Sequence, residues 1–371
     1  MAGLCLETPE LLTRLLSQVS RSFYLTLRVL PRAIRPQIGL AYLLARTTDT
    51  IADTEILPVD QRLEALQKLR ERIIGQSSAP VNFGSLAEQQ GLPAEKILLA
   101  RTEESLALLS SLPPEDLKWV REVLVTITSG QELDLRRFGR WGETPGEPVL
   151  APGHHSDSAP GDARSTNQIA ALKTAAELDD YTYRVAGCVG EFWTKMCRAH
   201  LFPEAKLDDA RFLADGIRFG KGLQLVNILR DLPADLKNGR CYLPLEQLTA
   251  AGLTAENLFR PENESKFLTL FHGHLDLAEA HLAAGWRYTN TLPFSQFRVR
   301  LACAWPVLIG LRTLENLRAA RVAGLQQRVK ITRGEVRGIL LRSTLACWLP
   351  PLWKKMYSPR AKAVASGNNL A

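Results

Sequence analysis

The sequence lacks the signals of several common protein classes. No stretch of about 18 apolar residues occurs, so we expect no membrane-spanning helix. No GxGxxG motif follows a strand-like segment, which excludes a Rossmann dinucleotide site. Zinc-finger spacings, RNP-like aromatic motifs and basic recognition helices are missing too, and nucleic acid is therefore not an expected partner. The N-terminal stretch MAGLCLETPELLTRLL carries an early acid and lacks the basic-then-apolar order of a signal peptide.

The sequence has few cysteines and very few segments with the alternating pattern of β-strands. The six cysteines among 371 residues form no CxxC pair, and such scattered cysteines predict reduced core residues and a cytoplasmic protein. Alternating β-branched segments with Asn-Gly turns are nearly absent. Three stretches instead show the three-to-four spacing of amphipathic helices: VDQRLEALQKLRERI from residue 59, AEKILLARTEESLALLSSL from 94 and FLTLFHGHLDLAEAHLAAGW from 267. The sequence therefore predicts an all-α fold.

Two stretches interrupt the helical pattern. LPPED at 112–116 predicts a loop followed by a new helix start. Residues 139–166 are rich in Gly, Pro and Ser without periodicity, and they predict a long mobile insertion. Because similar helical patterns lie on both sides, the insertion need not separate two domains. We expect one large domain over 1–344 and an amphipathic, basic segment over 345–371 that ends in a disordered tail.

Acidic residues are nearly missing from the C-terminal part of the chain. Between Arg318 and Lys362 there are eleven Lys or Arg residues and one acid, Glu335, and the whole chain has a formal net charge of +7. This excess favours a partner with negative charge, either anionic lipid or a phosphorylated small molecule. The stretch LACWLPPLWKKMY combines apolar, aromatic and basic residues, which predicts peripheral contact with an anionic membrane surface.

Two pairs of aspartates carry the clearest chemical signal. ARTTDTIADT places Asp49 and Asp53 four residues apart, and NILRDLPAD does the same for Asp231 and Asp235, with Asn227 one turn earlier. Positions i and i+4 project from one side of a helix. Four facing carboxylates would resist ionisation unless a cation lies between them. Oxygen ligands suit Mg²⁺, which is often shared with substrate phosphates, so the pattern predicts a magnesium-bridged diphosphate, with Arg46, Arg230 and Arg240 as its phosphate partners.

Each motif also has a plainer interpretation. A single DxxxD on a helix is common on a solvated surface, and only the repetition with arginines in register favours a metal site. Pro233 lies between Asp231 and Asp235, where it removes an amide donor and clashes with the carbonyl of residue 229. We therefore expect a kink or helix end that displaces Asp235 from the polar stripe.

Five stretches in order resemble the squalene/phytoene synthase family, which joins two prenyl diphosphates head to head. They are VSRSF at 19–23, YLLARTTDTIADT at 42–54, GQELDL at 130–135, DDYTYRVAGCVG at 179–190 and LQLVNILRDLPADLKNGRCYLP at 223–244. The resemblance implies a single-domain, all-α isoprenoid-synthase bundle around a central cavity. It also implies that the two aspartate motifs face each other across that cavity.

The resemblance implies a role for each matching position. Tyr181 would assist ionisation or proton transfer together with the four aspartates, although a core tyrosine with a satisfied hydroxyl is the alternative. Arg184 departs from the family pattern and receives no role. The implied magnesium ligands are Asp49, Asp53, Asn227, Asp231 and Asp235. The implied diphosphate contacts are Ser20, Arg21, Ser22, Phe23, Tyr42, Arg46, Gln224, Asn227, Arg230 and Arg240.

The resemblance extends to the choice of product. VKITRGEVRGILL at 329–341 is similar to the basic segment near the NADPH phosphates of squalene-forming members, which implies NADPH contacts at Lys330 and Arg333. The alternative for these two residues is a solvated or lipid-facing basic surface. We therefore expect a monomer that condenses two farnesyl diphosphates and reduces the product to squalene. YLP at 242–244 instead resembles non-reducing phytoene or dehydrosqualene synthases, and a non-catalytic lipid-pathway partner is a third hypothesis.

Overall fold

The computed structural model describes residues 10–20, 23–54, 56–139, 169–327 and 329–357. Seventeen α-helices and two very short strands form within these ranges, so the all-α prediction is confirmed. The helices are α1 (Arg14–Val19), α2 (Phe23–Val29), α3 (Arg35–Asp53), α4 (Val59–Ile74), α5 (Gly84–Gln89), α6 (Pro93–Ala100), α7 (Thr102–Ser110), α8 (Pro114–Phe138), α9 (Ala175–Thr182), α10 (Cys188–Leu201), α11 (Asp209–Lys237), α12 (Leu245–Ala250), α13 (Glu264–Thr291), α14 (Phe297–Ala319), α15 (Val322–Leu325), α16 (Arg333–Ala346) and α17 (Pro350–Lys355).

The long helices form two groups that meet along α8 and α10. In the first group α3 and α4 pack against α8, and in the second α11 packs along α13, with α10 and α14 beside it. Three clusters of buried apolar side chains lie between the helices. Burial of these apolar side chains contributes about 25 cal/mol per Å² of apolar surface and is the main contribution to the stability of the fold.

The predicted helices agree with the structure except at one break. Val59 starts α4, Pro114 starts α8 after the predicted loop, and α13 covers the third periodic stretch. The stretch 94–112, which we read as one pattern, forms α6 and α7 with a break at Arg101. Of the predicted insertion only Gly139 belongs to the described residues.

The polar helix α11 runs through its proline. Of the two expected effects of Pro233, a kink or a helix end, the helix end is wrong, because helical structure continues to Lys237 with Pro233 buried inside it. One lost hydrogen bond and the ring clash cost about 3 kcal/mol. Packing of α11 against α10, α13 and α14 offsets that cost.

A tight turn after α11 places the next functional segment. Gly239 adopts φ 71°, a left-handed conformation that favours glycine. The chain then forms β2 (Arg240–Cys241), which pairs in parallel with β1 (Ala170–Ala171) in the register Ala170 to Arg240. Leu172 N–H donates to Cys241 O at 3.0 Å and holds this ladder in place. The two strands therefore fix the backbone at Arg240.

The C-terminal helices pack onto the bundle. Trp353 of α17 is buried and stacks on Trp286 of α13, with ring centroids 5.1 Å apart. The predicted disordered tail lies outside the described residues from 358 onward. Five cysteines are buried and free, as predicted: Cys188, Cys197, Cys241, Cys303 and Cys347. Within the described ranges, no helix has the length and apolarity needed to span a bilayer.

Candidate active site

One cavity of about 640 Å³ lies between the two groups of helices. Its polar end is formed by side chains from α3, α8, α9, α11 and the segment that begins with β2, and its remaining wall is largely apolar. The polar lining residues are Thr26, Tyr42, Arg46, Asp49, Asp53, Gln131, Asp134, Tyr181, Gln224, Asn227, Arg240, Tyr242 and Tyr288. The apolar lining residues include Ile127, Val189, Trp193, Phe219, Leu223, Ala302, Cys303 and Pro306.

The first aspartate motif faces the cavity as the spacing predicts. Tyr42, Arg46, Asp49 and Asp53 follow one another at steps of four, three and four residues, so they remain on one side of α3. Arg46 donates to Asp49 on its own helix, and its Nη2 also donates to Glu95 Oε1 on α6 at 2.7 Å. This arginine is therefore held by two carboxylates beside the cavity.

The second motif contributes its first half to the cavity wall. Gln224 and Asn227 line the cavity, whereas Asp231 and Asp235 lie one and two turns further along α11 and are not among the lining residues. The Arg230 guanidinium forms an ion pair with Asp231, with Nε donating to Oδ1 at 3.1 Å. The second aspartate pair thus lies at the edge of the polar end.

Arg240 connects the two aspartate motifs electrostatically. Burial lowers its pKa, but the pKa is raised overall by Tyr242, Asp134 and the charges of both Asp53 and Asp235. In return, Arg240 opposes the effect of burial on the pKa of Asp53. A cation held within reach of both motifs is what a diphosphate between them requires.

The carboxyl groups at this end are poorly compensated within the protein. Burial, and then the charge of Asp53, raises the pKa of Asp49 to about 6 despite the nearby Arg46. The pKa of Asp235 is raised to about 7 by burial, opposed by Arg240. Carboxyls with raised pKa values gain from an added cation, and the Asp49 side chain, which is 40% accessible, borders the cavity.

The donor set fits magnesium that is completed by a substrate. Among the described residues no group of three acidic, His or Cys side chains is close enough to hold a metal ion alone. Mg²⁺ takes few protein carboxylates and fills its octahedron with water and phosphate oxygens. Asp49, Asp53 and Asn227 would hold it. Buried Arg46 Nε and Gln131 Oε1 have no hydrogen-bond partner within the described chain, so the polar end has unused donors and acceptors for a ligand.

Two stacked tyrosines and a buried acid form the opposite side of the polar end. The rings of Tyr181 and Tyr242 stack with centroids 4.7 Å apart, and the Tyr242 hydroxyl donates to Asp134 Oδ2 at 2.7 Å. Burial, and then the Asp134 charge, raises the pKa of Tyr181 well above its usual value. Burial likewise raises the pKa of Asp134 to about 6, although the Tyr242 hydrogen bond opposes it. Tyr181 is therefore protonated at neutral pH.

Sequence reasoning missed Asp134, Gln131 and Tyr242 as cavity residues. Gln131 and Asp134 are three residues apart on α8, and Phe138 is four further on; all three line the cavity. That spacing of polar residues inside GQELDL was the available signal. Tyr242 reaches the site only because β2 pairs with a strand seventy residues earlier, which local spacing does not reveal.

Other predicted site residues lie elsewhere. Ser20 is buried at the end of α1, where its hydroxyl donates to Leu16 O, and it does not line the cavity. Arg21 and Ser22 lie outside the described residues, and for Phe23 only the backbone is described. Lys330 and Arg333 are exposed, and they line neither this cavity nor a 520 Å³ cleft beside α16. Arg184 donates to Asp180 and Ser129 and holds α8 against the chain after Tyr181.

Comparison with known proteins identifies the family. The sequence matches the family described as squalene/phytoene synthase over residues 16–335, which is most of the chain. The chain belongs to the squalene/phytoene synthase family. This confirms the resemblance inferred from the five stretches, and it places the cavity in a family of prenyltransferases that condense prenyl diphosphates head to head.

Several members of the squalene/phytoene synthase family can be compared directly. The chain is 30% identical to the presqualene diphosphate synthase of Rhodopseudomonas palustris, over 77% of this chain and 80% of that protein. It is 28% identical to the bifunctional lycopene cyclase/phytoene synthase of Blakeslea trispora, over 63% of this chain but only 32% of that protein. The squalene synthase of Schizosaccharomyces pombe is 25% identical over 89% of this chain and 64% of that protein.

Solved structures show the same fold. The complex of TcSQS with the ligand E5700 has a TM-score of 0.70 at 22% identity, over 94% of this chain and 90% of that one. A dehydrosqualene synthase in complex with a ligand has a TM-score of 0.60 at 19% identity, over 93% and 98% of the two chains. The predicted isoprenoid-synthase bundle is therefore confirmed.

Proposed function

We propose that this protein condenses two farnesyl diphosphates head to head through a cyclopropyl diphosphate intermediate. The observation that carries the proposal is the division of one cavity into two chemically different parts. Asp49 interacts electrostatically with Asp53, and Asp53 with Arg240, so these three charged groups lie near one another, whereas apolar side chains form much of the remaining wall. An amphiphile with a charged head and a hydrocarbon tail matches that division, and a volume of about 640 Å³ lies within the usual range of ligand sites.

The polar end would bind and activate the diphosphate of the first substrate. Arg240 and Arg46 would donate hydrogen bonds to phosphate oxygens, and Asp49, Asp53 and Asn227 would hold the magnesium ion. Magnesium bound there supplies positive charge that makes the diphosphate a better leaving group. The C–O bond then breaks, the diphosphate leaves with the bonding electron pair, and an allylic cation remains.

The rest of the cavity would control that cation. The double bond of the second prenyl chain attacks the cationic carbon, and loss of a proton closes the cyclopropane. Water would quench the cation, and the apolar wall of Ile127, Leu223 and Phe219 excludes it. Tyr181, which stacks on Tyr242 and keeps its proton at neutral pH, would assist ionisation or proton transfer. The hydrogen-bonded Tyr242–Asp134 pair provides a carboxylate acceptor for the proton at neutral pH.

The cyclopropyl diphosphate intermediate has two candidate fates, release and reduction. Release as presqualene diphosphate is supported by the 30% identical relative that carries that name. NADPH-dependent reduction to squalene is the second candidate, supported by the 329–341 segment. Lys330 and Arg333 are exposed and border neither described cavity, so the described residues do not form an enclosed nucleotide site around them.

One product assay tests the proposal. The protein is incubated with farnesyl diphosphate and magnesium, with and without NADPH, and the products are identified by mass spectrometry. Presqualene diphosphate accumulating under both conditions supports coupling with release, and squalene formed only with NADPH supports the reductive candidate. Dehydrosqualene formed without NADPH would reject both outcomes while keeping the coupling. No consumption of substrate would reject the proposed condensation and favour a non-catalytic partner.

A further inference from the structure

Glu95 forms a charged contact between α6 and the polar end of the cavity. It lies in the first turn of α6 and is not among the residues that line the cavity. Only 16% of its side chain is exposed, and its Oε1 accepts from Arg46 Nη2 at 2.7 Å. Glutamates are seldom buried to this degree without a partner, so the ion pair with Arg46 explains the position of Glu95.

The fold holds α6 firmly against α3, which carries Arg46. Leu98 and Leu99, one turn after Glu95, are buried in the same apolar cluster as residues of α3. On the other side, Gln90 Nε2 donates to the Oγ1 of Thr54, the residue that follows α3, at 3.3 Å. The Glu95 carboxylate therefore has a fixed place relative to α3.

This place is unfavourable for the two aspartates of α3. Burial is the largest influence that raises the pKa of Asp49 and of Asp53, and the charge of Glu95 raises both further. A third acid beside two carboxyls increases their mutual repulsion. A favourable contribution of Glu95 must therefore come from Arg46, whose positive charge acts on both aspartates as well.

The two carboxylates that hold Arg46 differ in their access to a ligand. Asp49 lines the cavity and is a proposed magnesium ligand, whereas Glu95 does not line the cavity. Asp49 accepts from Arg46 Nη1, Glu95 accepts from Nη2, and the buried Nε has no partner among the described residues. A guanidinium has five N–H groups in one plane. If Asp49 turned towards a cation, Glu95 would be the carboxylate that still fixes this plane.

We propose that Glu95 is a positioning residue that keeps the Arg46 guanidinium beside the cavity when a diphosphate and its metal ion engage Asp49. Nε and Nη1 of Arg46 then donate to phosphate oxygens while Nη2 stays on Glu95. A donor that is already held in place binds an oxyanion more tightly, because less side-chain freedom is lost on binding. Only the identity of the ligand, a diphosphate, rests on the proposed function.

Binding of inorganic pyrophosphate measures this role without turnover. Isothermal titration calorimetry of the full chain with pyrophosphate and magnesium gives the Kd. Glu95→Gln keeps the side-chain size but removes the charge that holds Arg46, and it should raise the Kd by about 5–10-fold. The sign is decisive, because a glutamate that acted only as a nearby negative charge would repel pyrophosphate, and its removal would lower the Kd.

A double-mutant cycle tests whether Glu95 acts through Arg46. Arg46→Gln removes the phosphate donor itself and should raise the Kd by about 10–100-fold. Glu95→Gln should then change the Kd by less than about twofold in the Arg46→Gln background, since the group that it positions is gone. A full 5–10-fold effect of Glu95→Gln in that background would overturn the proposal.

Glu103→Gln is the matched control for loss of a glutamate–arginine pair. Glu103 lies on α7 and accepts from Arg72 Nη2 at 2.6 Å, and neither residue lines the cavity. The control removes a comparable ion pair and should leave the Kd for pyrophosphate unchanged. An equal rise in Kd for Glu103→Gln, an unchanged or lower Kd for Glu95→Gln, or no pyrophosphate binding by wild type would overturn the positioning role.

The result can be separated from the proposed condensation. Pyrophosphate carries no prenyl chain, so weaker binding by Glu95→Gln together with no consumption of farnesyl diphosphate by wild type would support the positioning role and reject the condensation. Where wild type does turn over, Glu95→Gln should raise KM by about 5–10-fold and change kcat less. A merely structural loss of folded enzyme would lower kcat at constant KM, and that pattern would contradict the proposal.

Discussion

At the scale of single residues, the cavity contains carboxyl groups with different partners. Asp49 is compensated by Arg46 on its own helix and lies within the field of Asp53, whereas Asp134 is bound by the Tyr242 hydroxyl. Asp49 and Asp53 can therefore still bind a cation, whereas Asp134 already accepts a hydrogen bond from Tyr242. Two substitutions that keep side-chain size and remove charge separate these roles.

Asp49→Asn should weaken diphosphate binding through loss of a metal ligand. We expect kcat/KM to fall by about 10²–10³-fold and the magnesium dependence to shift to higher concentration, since a neutral amide binds Mg²⁺ more weakly. Thermal stability should be unchanged or higher, because burial already disfavours the charge of Asp49. Asp276→Asn, at an acid of α13 that is 70% exposed and pairs with Arg318, is the control and should leave kinetics unchanged. Wild-type magnesium dependence in Asp49→Asn would rule out the ligand assignment.

Asp134→Asn should impair the chemical step more than substrate binding. The amide still accepts from Tyr242, so the stacked tyrosines stay in place, but no carboxylate remains to take a proton. We expect kcat to fall by about 10²-fold with KM nearly unchanged. The fall in kcat should be smaller for Tyr242→Phe, because the ring stack with Tyr181 is kept. Glu132→Gln, on the same helix and outside the cavity lining, is the control; an equal loss there would show a structural cause.

Residue-level prediction from sequence works where contacts are local. Tyr42, Arg46, Asp49 and Asp53 were placed correctly on one face because steps of three and four within a helix determine a face. Tyr242 could not be placed, since its contact with Asp134 joins residues more than one hundred positions apart. The position of α11 relative to the cavity is a packing result too, so its spacing alone could not show that the lining stops at Asn227.

At the scale of helices, the cavity depends on how closely α11 approaches its neighbours. A Cβ at Gly220 would lie 2.1 Å from Ala186 O, and one at Gly190 would lie 2.0 Å from Gly216 O. Backbones this close leave no room for a side chain, and the glycines line the cavity at the contact. The segment Tyr183–Gly187 forms a π-helical turn there between α9 and α10. Such turns recur at functional sites because they shift the register of the side chains that follow.

Gly220→Ala should force α11 away from the π-helical turn. We expect a loss of about 2–3 kcal/mol in the free energy of unfolding, and a fall in activity as the cavity wall moves. Gly273→Ala on α13 is the matched control: apart from its chain neighbours and the nearby backbone of α13, no atom of the described residues lies within 4 Å of its added Cβ, so it should stabilise the protein by about 0.5–1 kcal/mol. Chemical denaturation of both variants measures the difference. Equal effects of the two alanines would contradict the close approach.

At the scale of the whole molecule, the stability of the fold at low pH should depend on a histidine that is buried in α13. His274 is 4% exposed, and burial lowers its pKa to about 4. The unfolded chain has a histidine pKa near 6.5, so between about pH 6.5 and 4 the unfolded state binds the extra proton. Stability is therefore fully present above that window and falls as the pH is lowered through it.

Replacing His274 should reduce the loss of stability at low pH. Protonation of His274 should lower the free energy of unfolding of the wild type by about 2 kcal/mol between pH 7.5 and pH 5. In His274→Leu and in His274→Gln this contribution is absent, so the fall over the same interval should be smaller by about 2 kcal/mol. The two variants should differ from each other at pH 7.5, where Leu suits the apolar site and Gln buries an amide, because that comparison reports packing rather than titration. Urea unfolding at both pH values gives the four free energies. A loss of stability at low pH as steep in the variants as in wild type would assign the acid sensitivity to other groups, first among them His281, whose pKa burial also lowers to about 4.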